Sequence, residues 1–478
     1  MDTQASKKNQ SIHAFTNDVL GQHDATAIAQ LIRQKKILPR EVIEASIKRA
    51  EKVEPQLHAI VCECFDKALK NADQIGDGFF AGVPMFFKDM TLVKGLPMYF
   101  GSEAFEGMNP AKVDDPITKQ VLAQGFATLG TSTMPEFGFT CSTEYPHRED
   151  TRNPWNTAHT VGGSSGGAGA LVAAGVVPIA HSADGGGSTR IPAACNGAVG
   201  LKATRGRLLL SSSLQRQVVP IAIDGVITRS VRDTANFYSE AEKYYRNKKL
   251  KSIGSSIEPL RKKLRIGFAD ALPDVLKADA LTKSELVKAV DLLTDLGHEL
   301  KPVEFPVSTR MVADFKLLWS MNAYMVNRFG KMLFPKGYNK SKLTSLTQGL
   351  ANYYGKQMHK TPFFVRRLWK SKQDYKAFLE ENKIDVLLTP TLAHRTPELG
   401  YLGADVEFEE QFERMANWAS FTPMSNAAGC PSISLPLGFD EEKNLPLGML
   451  FWARHGEDKL LLELALQLEE AAPWRTIS

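Results

Sequence analysis

Two glycine–serine loops place the tightest constraint on this chain. They read Gly162-Gly163-Ser164-Ser165-Gly166-Gly167 and Asp184-Gly185-Gly186-Gly187-Ser188-Thr189-Arg190, with Ser164 and Ser188 24 residues apart. Between them, residues 168–180 are apolar apart from glycine and one proline. Flexible linkers do not alternate with buried apolar segments in this way, so the loops read as turns between buried elements. Glycine admits positive φ and close backbone approach, which lets successive N–H groups converge on one point. Such a nest ahead of Ser188 is suited to a developing oxyanion.

Two other readings of the same glycines fail on detail. Phosphate binding needs a GxxxxGK[ST] loop, or a GxGxxG following a strand, and neither is present. Gly162-Gly163-Ser164-Ser165-Gly166 formally matches the G-x-S-x-G nucleophile elbow, but that elbow requires a strand immediately upstream. Residues 151–159 contain Pro154 and several polar side chains and read as a loop, so the match is accidental.

A serine nucleophile needs a group to take its proton. Of the ten histidines, His181 lies in an apolar run and reads as a buried structural group without a signposted carboxylate, and His159 sits in a polar loop. Lys88 is the alternative, because it follows the apolar stretch Gly82-Val83-Pro84-Met85-Phe86-Phe87. Burial disfavours the ammonium form, and bringing a lysine to near pH 7 takes roughly 4–5 kcal/mol. From composition alone the commoner case is a lysine that ends a strand and snorkels to solvent; the desolvated base is the sharper one.

Composition excludes several other classes. The formal charge of +5 comes from 58 Lys and Arg against 53 Asp and Glu, scattered rather than gathered into the aromatic-interleaved patch of a nucleic-acid binder. The five cysteines include no CxxC pair, which argues against a disulfide framework or zinc site and for a reducing, cytoplasmic setting. Residues 1–20 lack the apolar stretch of about 7 to 15 residues that a signal peptide requires, and they are expected to form a mobile polar arm. The run 168–180 is too short to span a bilayer, so no membrane partner is expected.

Helical spacing predicts helices at 26–34, 39–52, 115–124, 167–174, 281–296, Thr309–Leu333, 362–380 and Asp458–Ala471. Short apolar segments predict strands at 126–129, 175–180, 198–201, 264–268, 384–389 and 432–437. Helix and strand in alternation argue for an α/β architecture with a largely parallel sheet. A length of 478 residues suggests about three domains only as a soft prior.

Gly82-Val83-Pro84 followed by Lys88-Asp89, the Gly162-to-Gly167 loop, and Gly186-Gly187-Ser188-Thr189-Arg190-Ile191-Pro192 occur in this order. Together they resemble the amidase signature family. Leu388-Thr389-Pro390-Thr391 and Gly429-Cys430-Pro431 extend the likeness, and Pro135-Glu136-Phe137-Gly138 makes it most similar to 6-aminohexanoate-cyclic-dimer hydrolases and their relatives. The resemblance implies a single large α/β domain over residues 21–478, with its signature core at about 76–232 and a central mixed β-sheet covered by helices on both faces.

It also implies a mechanism: Ser188 attacks an amide carbonyl, and Ser164, carrying a cis peptide bond, relays the proton to neutral Lys88. The N–H groups of Gly185, Gly186, Gly187 and Ser188 would form the oxyanion hole. Ser165 would support the site, while Asp184 and Arg190 pin the second loop. No metal or cofactor is implied. The expected partner is a small linear or cyclic carboxamide, with homodimer formation left open; the alternative is the glutaminase subunit of a tRNA-dependent amidotransferase. An inactive binding protein is disfavoured by the intact Lys88, Ser164 and Ser188 set. Ala203, Gly130-Thr131-Ser132 and Gly185 depart from the usual family residues, none of them at the triad. Pocket walls are expected from 137–141, 319–322 and 418–430.

Overall fold

Apolar segments without alternation can hide both faces only inside a sheet covered on both sides. The computed structural model describes residues 11–74, 76–105, 107–215, 217–273, 275–334 and 337–477. In chain order the strands are β1 (Ile60–Glu63), β2 (Pro84–Lys88), β3 (Ala127–Ser132), β4 (Ile179–Asp184), β5 (Val199–Lys202), β6 (Ile223–Thr228) and β7 (Arg265–Phe268). They continue as β8 (Ala271–Leu272), β9 (Leu276–Lys277), β10 (Glu299–Pro302), β11 (Val386–Pro390), β12 (Ser432–Asp440) and β13 (Leu445–Ala453).

Eight strands form the central sheet in the order β10-β7-β11-β13-β12-β5-β6-β4. It is a mixed sheet covered by helices, as the resemblance implied. Only the β10/β7 and β7/β11 pairs are parallel. The remaining pairs, from β11/β13 across to β6/β4, are antiparallel, which corrects the largely parallel sheet inferred from helix–strand alternation. Local alternation says nothing of the order in which distant strands pair.

Strand β13 shows how the layers form, because successive side chains point to opposite faces. Met449 and Phe451 pack with the helices Val231–Tyr244, Ala280–Asp295 and Asp458–Ala471. Leu450 and Trp452 pack on the other face with Tyr375 and Phe378 of the helix Thr361–Glu381. A smaller sheet, β1-β3-β2, lies beside β4, and the backbone N–H of Lys88 donates to His181 across that junction. The C-terminal ends of β2 and β4 therefore deliver Lys88 and Asp184 to one place.

Residues 11–20 depart from the expected mobile arm. Ile12 and Ala14 are buried and donate their N–H groups to Pro154 and Ala174, while Asp18 accepts two bonds from Arg49. Three buried apolar side chains, Ile12, Ala14 and Leu20, and one carboxylate fasten a segment that reads as polar. The first ten residues of the expected arm lie outside the described residues. No described helix is long and apolar enough to cross a membrane.

Candidate active site

Strand β2 is buried along its whole length, and it ends on Lys88, which is 1% exposed. The lysine does not snorkel. Its Nζ lies 2.8 Å from Ser164 Oγ and 3.3 Å from the carbonyl oxygen of Ala183. Burial brings the ammonium down to about 7, with the charges of Asp184 and Asp224 resisting the shift. Near neutrality this amine is therefore substantially unprotonated and free to accept a proton.

The bond between Gly163 and Ser164 is a cis peptide. Upstream lie only two isolated bridges, Arg152 with Thr160 and His159 with Glu398, so the strand a nucleophile elbow needs is absent here. Ser165 stands at the start of the helix Gly166–Ala173 without capping it. Its Oγ instead exchanges hydrogen bonds of 3.3 Å with the N–H and C=O of Ala183, and its N–H donates to the Ser188 carbonyl at 3.1 Å. Ser165 thus ties the two glycine–serine loops to each other.

The second loop is held by a buried ion pair. Arg190 donates from Nε and Nη2 to the two oxygens of Asp184, both at 2.8 Å, in the fork geometry that suits guanidinium to carboxylate. The rest of the guanidinium reaches the Thr422 carbonyl, Ser425, Asn426 and Ser432. Burial alone would raise the Asp184 carboxyl, but the Arg190 charge and the surrounding donors hold it well below the usual carboxylate range.

Asp184 also accepts the N–H of Gly187 at 2.8 Å and that of Thr189 at 3.1 Å. Gly187 is thereby corrected as an expected oxyanion donor: its N–H points inward to the carboxylate. The N–H groups of Gly185, Gly186 and Ser188 have no acceptor among the described residues. Gly187 sits at φ +138°, and a Cβ there would meet Thr422 Oγ1 at 2.3 Å, so the turn requires glycine.

Ser188 lies where two cavities meet. The first, about 100 Å³, is lined mainly by apolar side chains including Phe139, Ile191, Phe315, Trp319 and Met424. The second, about 460 Å³, contains Lys88 and Ser164 and is walled by Met98, Phe137, Leu214 and Met325. Gly138, Phe139 and Trp319 line both. The expected walls at 137–141 and 319–322 are present, and Ala419, Ser420, Pro423 and Met424 supply the third. Side chains within 307–316, 412–416, 212–214 and 217–222 also contribute, and the sequence does not reveal them because they arrive from helices and loops distant in the chain.

Three further groups shape the site. His181 accepts the Lys88 N–H at Nδ1 (3.3 Å), and its Nε2 approaches Asp224 Oδ1 to 3.2 Å, so the carboxylate partner that the sequence did not signpost comes from β6. Asp89 accepts the N–H groups of Tyr99 and Gly101 at 2.9 and 3.0 Å, fixing the turn beyond Lys88. Glu136 accepts bonds from Ser102 and Thr344, which anchors the Phe137 wall. His159 bonds the Thr396 carbonyl and takes no part. No described group of His, Cys, Asp or Glu is arranged to hold a metal ion.

The amidase family model matches residues 41–462. The chain belongs to the amidase family. A Mycobacterium tuberculosis protein provisionally designated amidase AmiC is 44% identical over 471 residues, covering 98% of each chain. The 6-aminohexanoate-cyclic-dimer hydrolase of Paenarthrobacter ureafaciens is 31% identical over 485 residues, covering 94% of this amidase and 95% of the hydrolase. A solved structure of 6-aminohexanoate cyclic dimer hydrolase superposes with a TM-score of 0.86 at 29% identity, covering 96% of this chain and 98% of that one. The chain is accordingly an enzyme, a hydrolase of carbon–nitrogen bonds, and family membership implies serine-hydrolase chemistry.

Proposed function

We propose that this amidase cleaves a linear or cyclic carboxamide through Ser188, Ser164 and Lys88, by way of an acyl-enzyme. The observation that carries the reading is the 2.8 Å contact between a buried, pKa-lowered Lys88 amine and Ser164 Oγ, at the cavity where Ser188 lies. Ser188 gives its proton to Ser164 as Ser164 gives its own to the Lys88 amine, while Ser188 Oγ bonds to the carbonyl carbon. The carbonyl π pair moves onto oxygen, where the N–H groups of Gly185, Gly186 and Ser188 receive it. Losing one such donor costs ~10²–10³ in turnover.

Collapse of that intermediate restores the carbonyl and breaks the C–N bond. The departing nitrogen takes the electron pair and a proton from Ser164, which Lys88 replenishes. Water then attacks the ester, losing its proton through Ser164 to Lys88, and the Ser188 C–O bond breaks to release the carboxylic acid as Lys88 returns that proton through Ser164 to Ser188 Oγ. This is triad logic with lysine as the base.

Incubation with a serine-directed fluorophosphonate and intact-mass measurement is expected to show one adduct on the wild type and none on Ser188→Ala. An adduct of equal yield on the variant overturns the assignment. Full hydrolysis by the isolated chain, with no rate gain from added subunits, is the further expected result and separates this reading from a glutaminase subunit.

A further inference from the structure

The two cavities that meet at Ser188 differ in chemistry. The proton donated to the leaving nitrogen comes from Ser164, so the amine must depart on the side of Ser164 and Lys88, into the larger cavity. The acyl chain is then left to the smaller one. That chamber is apolar, yet its lining includes one charged side chain, Lys316, on the helix Thr309–Leu333.

The Lys316 ammonium stands 4.3 Å from the ring centroid of Phe412, 4.6 Å from that of Tyr353 and 5.7 Å from that of Phe408. Among the described residues it has no carboxylate within ion-pair distance and no hydrogen-bond acceptor. Asp314, two residues earlier on the helix, is taken in a fork by Arg367, with both contacts at 2.6 Å. The aromatic faces hold the ammonium in place but leave its N–H donors unspent. A half-buried cation so placed favours an anion brought by the ligand.

We propose that the smaller cavity is the acyl subsite and that Lys316 selects short acyl groups whose far end is a carboxylate. The inference rests on the Ser188 reading above and names the substrate class of that site. In it an apolar chain fills the chamber, its carbonyl sits at Ser188, and its terminal carboxylate pairs with Lys316.

The test compares hydrolysis of two para-nitroanilides of equal carbon number, the monoanilide of glutaric acid and the anilide of pentanoic acid. Wild type is expected to prefer the glutaric compound in kcat/KM, and Lys316→Met to lose roughly 10- to 100-fold on it while holding the pentanoic compound within about threefold. The neutral substrate reports a folded, working site in the same variant. Equal losses on both compounds, or no preference for the carboxylate in the wild type, overturn the proposal.

Where neither anilide turns over, glutarate protection of Ser188 against fluorophosphonate labelling reads the same contrast. Protection in the wild type that disappears in Lys316→Met supports the proposal, and absence of protection in the wild type rejects it. Failure of the fluorophosphonate to label Ser188 at all rejects the underlying serine reading instead.

Discussion

His181 stands between Lys88 and Asp224, accepting the Lys88 backbone N–H at Nδ1 and presenting Nε2 to the carboxylate 3.2 Å away. All three side chains are buried to within 1%. Asp224 is also one of the charges that resist the fall of the Lys88 pKa. Replacing it by Asn removes that resistance and keeps the shape. Asp224→Asn is therefore expected to move the acid limb of the kcat/KM–pH profile to lower pH, while His181→Leu, which frees the Lys88 N–H, lowers kcat about tenfold or more through misplacement of the amine. An acid limb displaced to higher pH in Asp224→Asn would contradict the electrostatic part of this account.

The wild-type profile follows from the same lysine. With Lys88 near 7, kcat/KM should fall about tenfold per unit below that pH and level off above it. A rate unchanged from about pH 5 to 9 removes lysine as the base.

Stability carries a second signature of Lys88. Its folded value of about 7 lies below the unfolded value of about 10.4, so the unfolded chain binds the extra proton between those limits. Wild-type stability then rises with pH across that window, and the cost of desolvating the amine is greatest below it. Lys88→Met is expected to abolish turnover and raise Tm by a few degrees at about pH 6, with the gain shrinking toward pH 10. Thermal melts at both ends of the range check this, and a variant less stable at the acid end contradicts it.

How far the site was legible depended on whether its parts lie close in the sequence. Thr309–Leu333 and Asp458–Ala471 form at the expected boundaries because amphipathic spacing over many residues is a local signal. β13 was missed because Pro446 and Gly448 are poor strand residues and because a strand covered on both faces does not alternate. The Lys88–Ser164 contact follows from motif resemblance, since no spacing brings residues 76 positions apart together.

The His181–Asp224 pair was hidden for a different reason. In the β4/β6 register, Ala183 faces Asp224 and His181 faces Val226, which puts His181 and Asp224 on a diagonal of one sheet face. Shifting that register by one residue would send one partner to the opposite face. Gly187 illustrates the same point for the second glycine–serine loop, where direction matters as well as position: only the folded turn shows its N–H aimed at Asp184.

Gly187 is also a place where one methyl group should be decisive. A Cβ there would meet Thr422 Oγ1 at 2.3 Å and Ile191 Cδ1 at 2.6 Å, at a positive φ that alanine resists. Relieving the clash shifts the turn carrying Gly186 and Ser188. Gly187→Ala is expected to lose about 10²-fold or more in kcat, with Tm lowered by only a few degrees. Steady-state kinetics beside a thermal melt decide it, and an unchanged kcat would show that the turn tolerates the methyl.

The Asp184–Arg190 pair should set the acid limit of the fold. Asp184 is depressed in the folded state, so its stabilising contribution is complete above the unfolded value of about 3.9 and is lost as pH falls below it. Lysine in place of Arg190 keeps the charge but loses the fork to Asp184 and leaves Ser425, Asn426, Ser432 and the Thr422 carbonyl short of their donor. Removing one partner of a buried pair outright typically costs about 3–5 kcal/mol, an upper bound for a change that keeps the charge. Arg190→Lys should therefore unfold at a lower temperature at neutral pH and at a higher pH on acid titration, because the Asp184 carboxyl, less well paired, takes up its proton earlier. Circular dichroism along the acid titration reads the midpoint directly. A midpoint identical to the wild type would mean that the carboxylate is held by the Gly187, Thr189 and Asn426 N–H groups without help from the guanidinium.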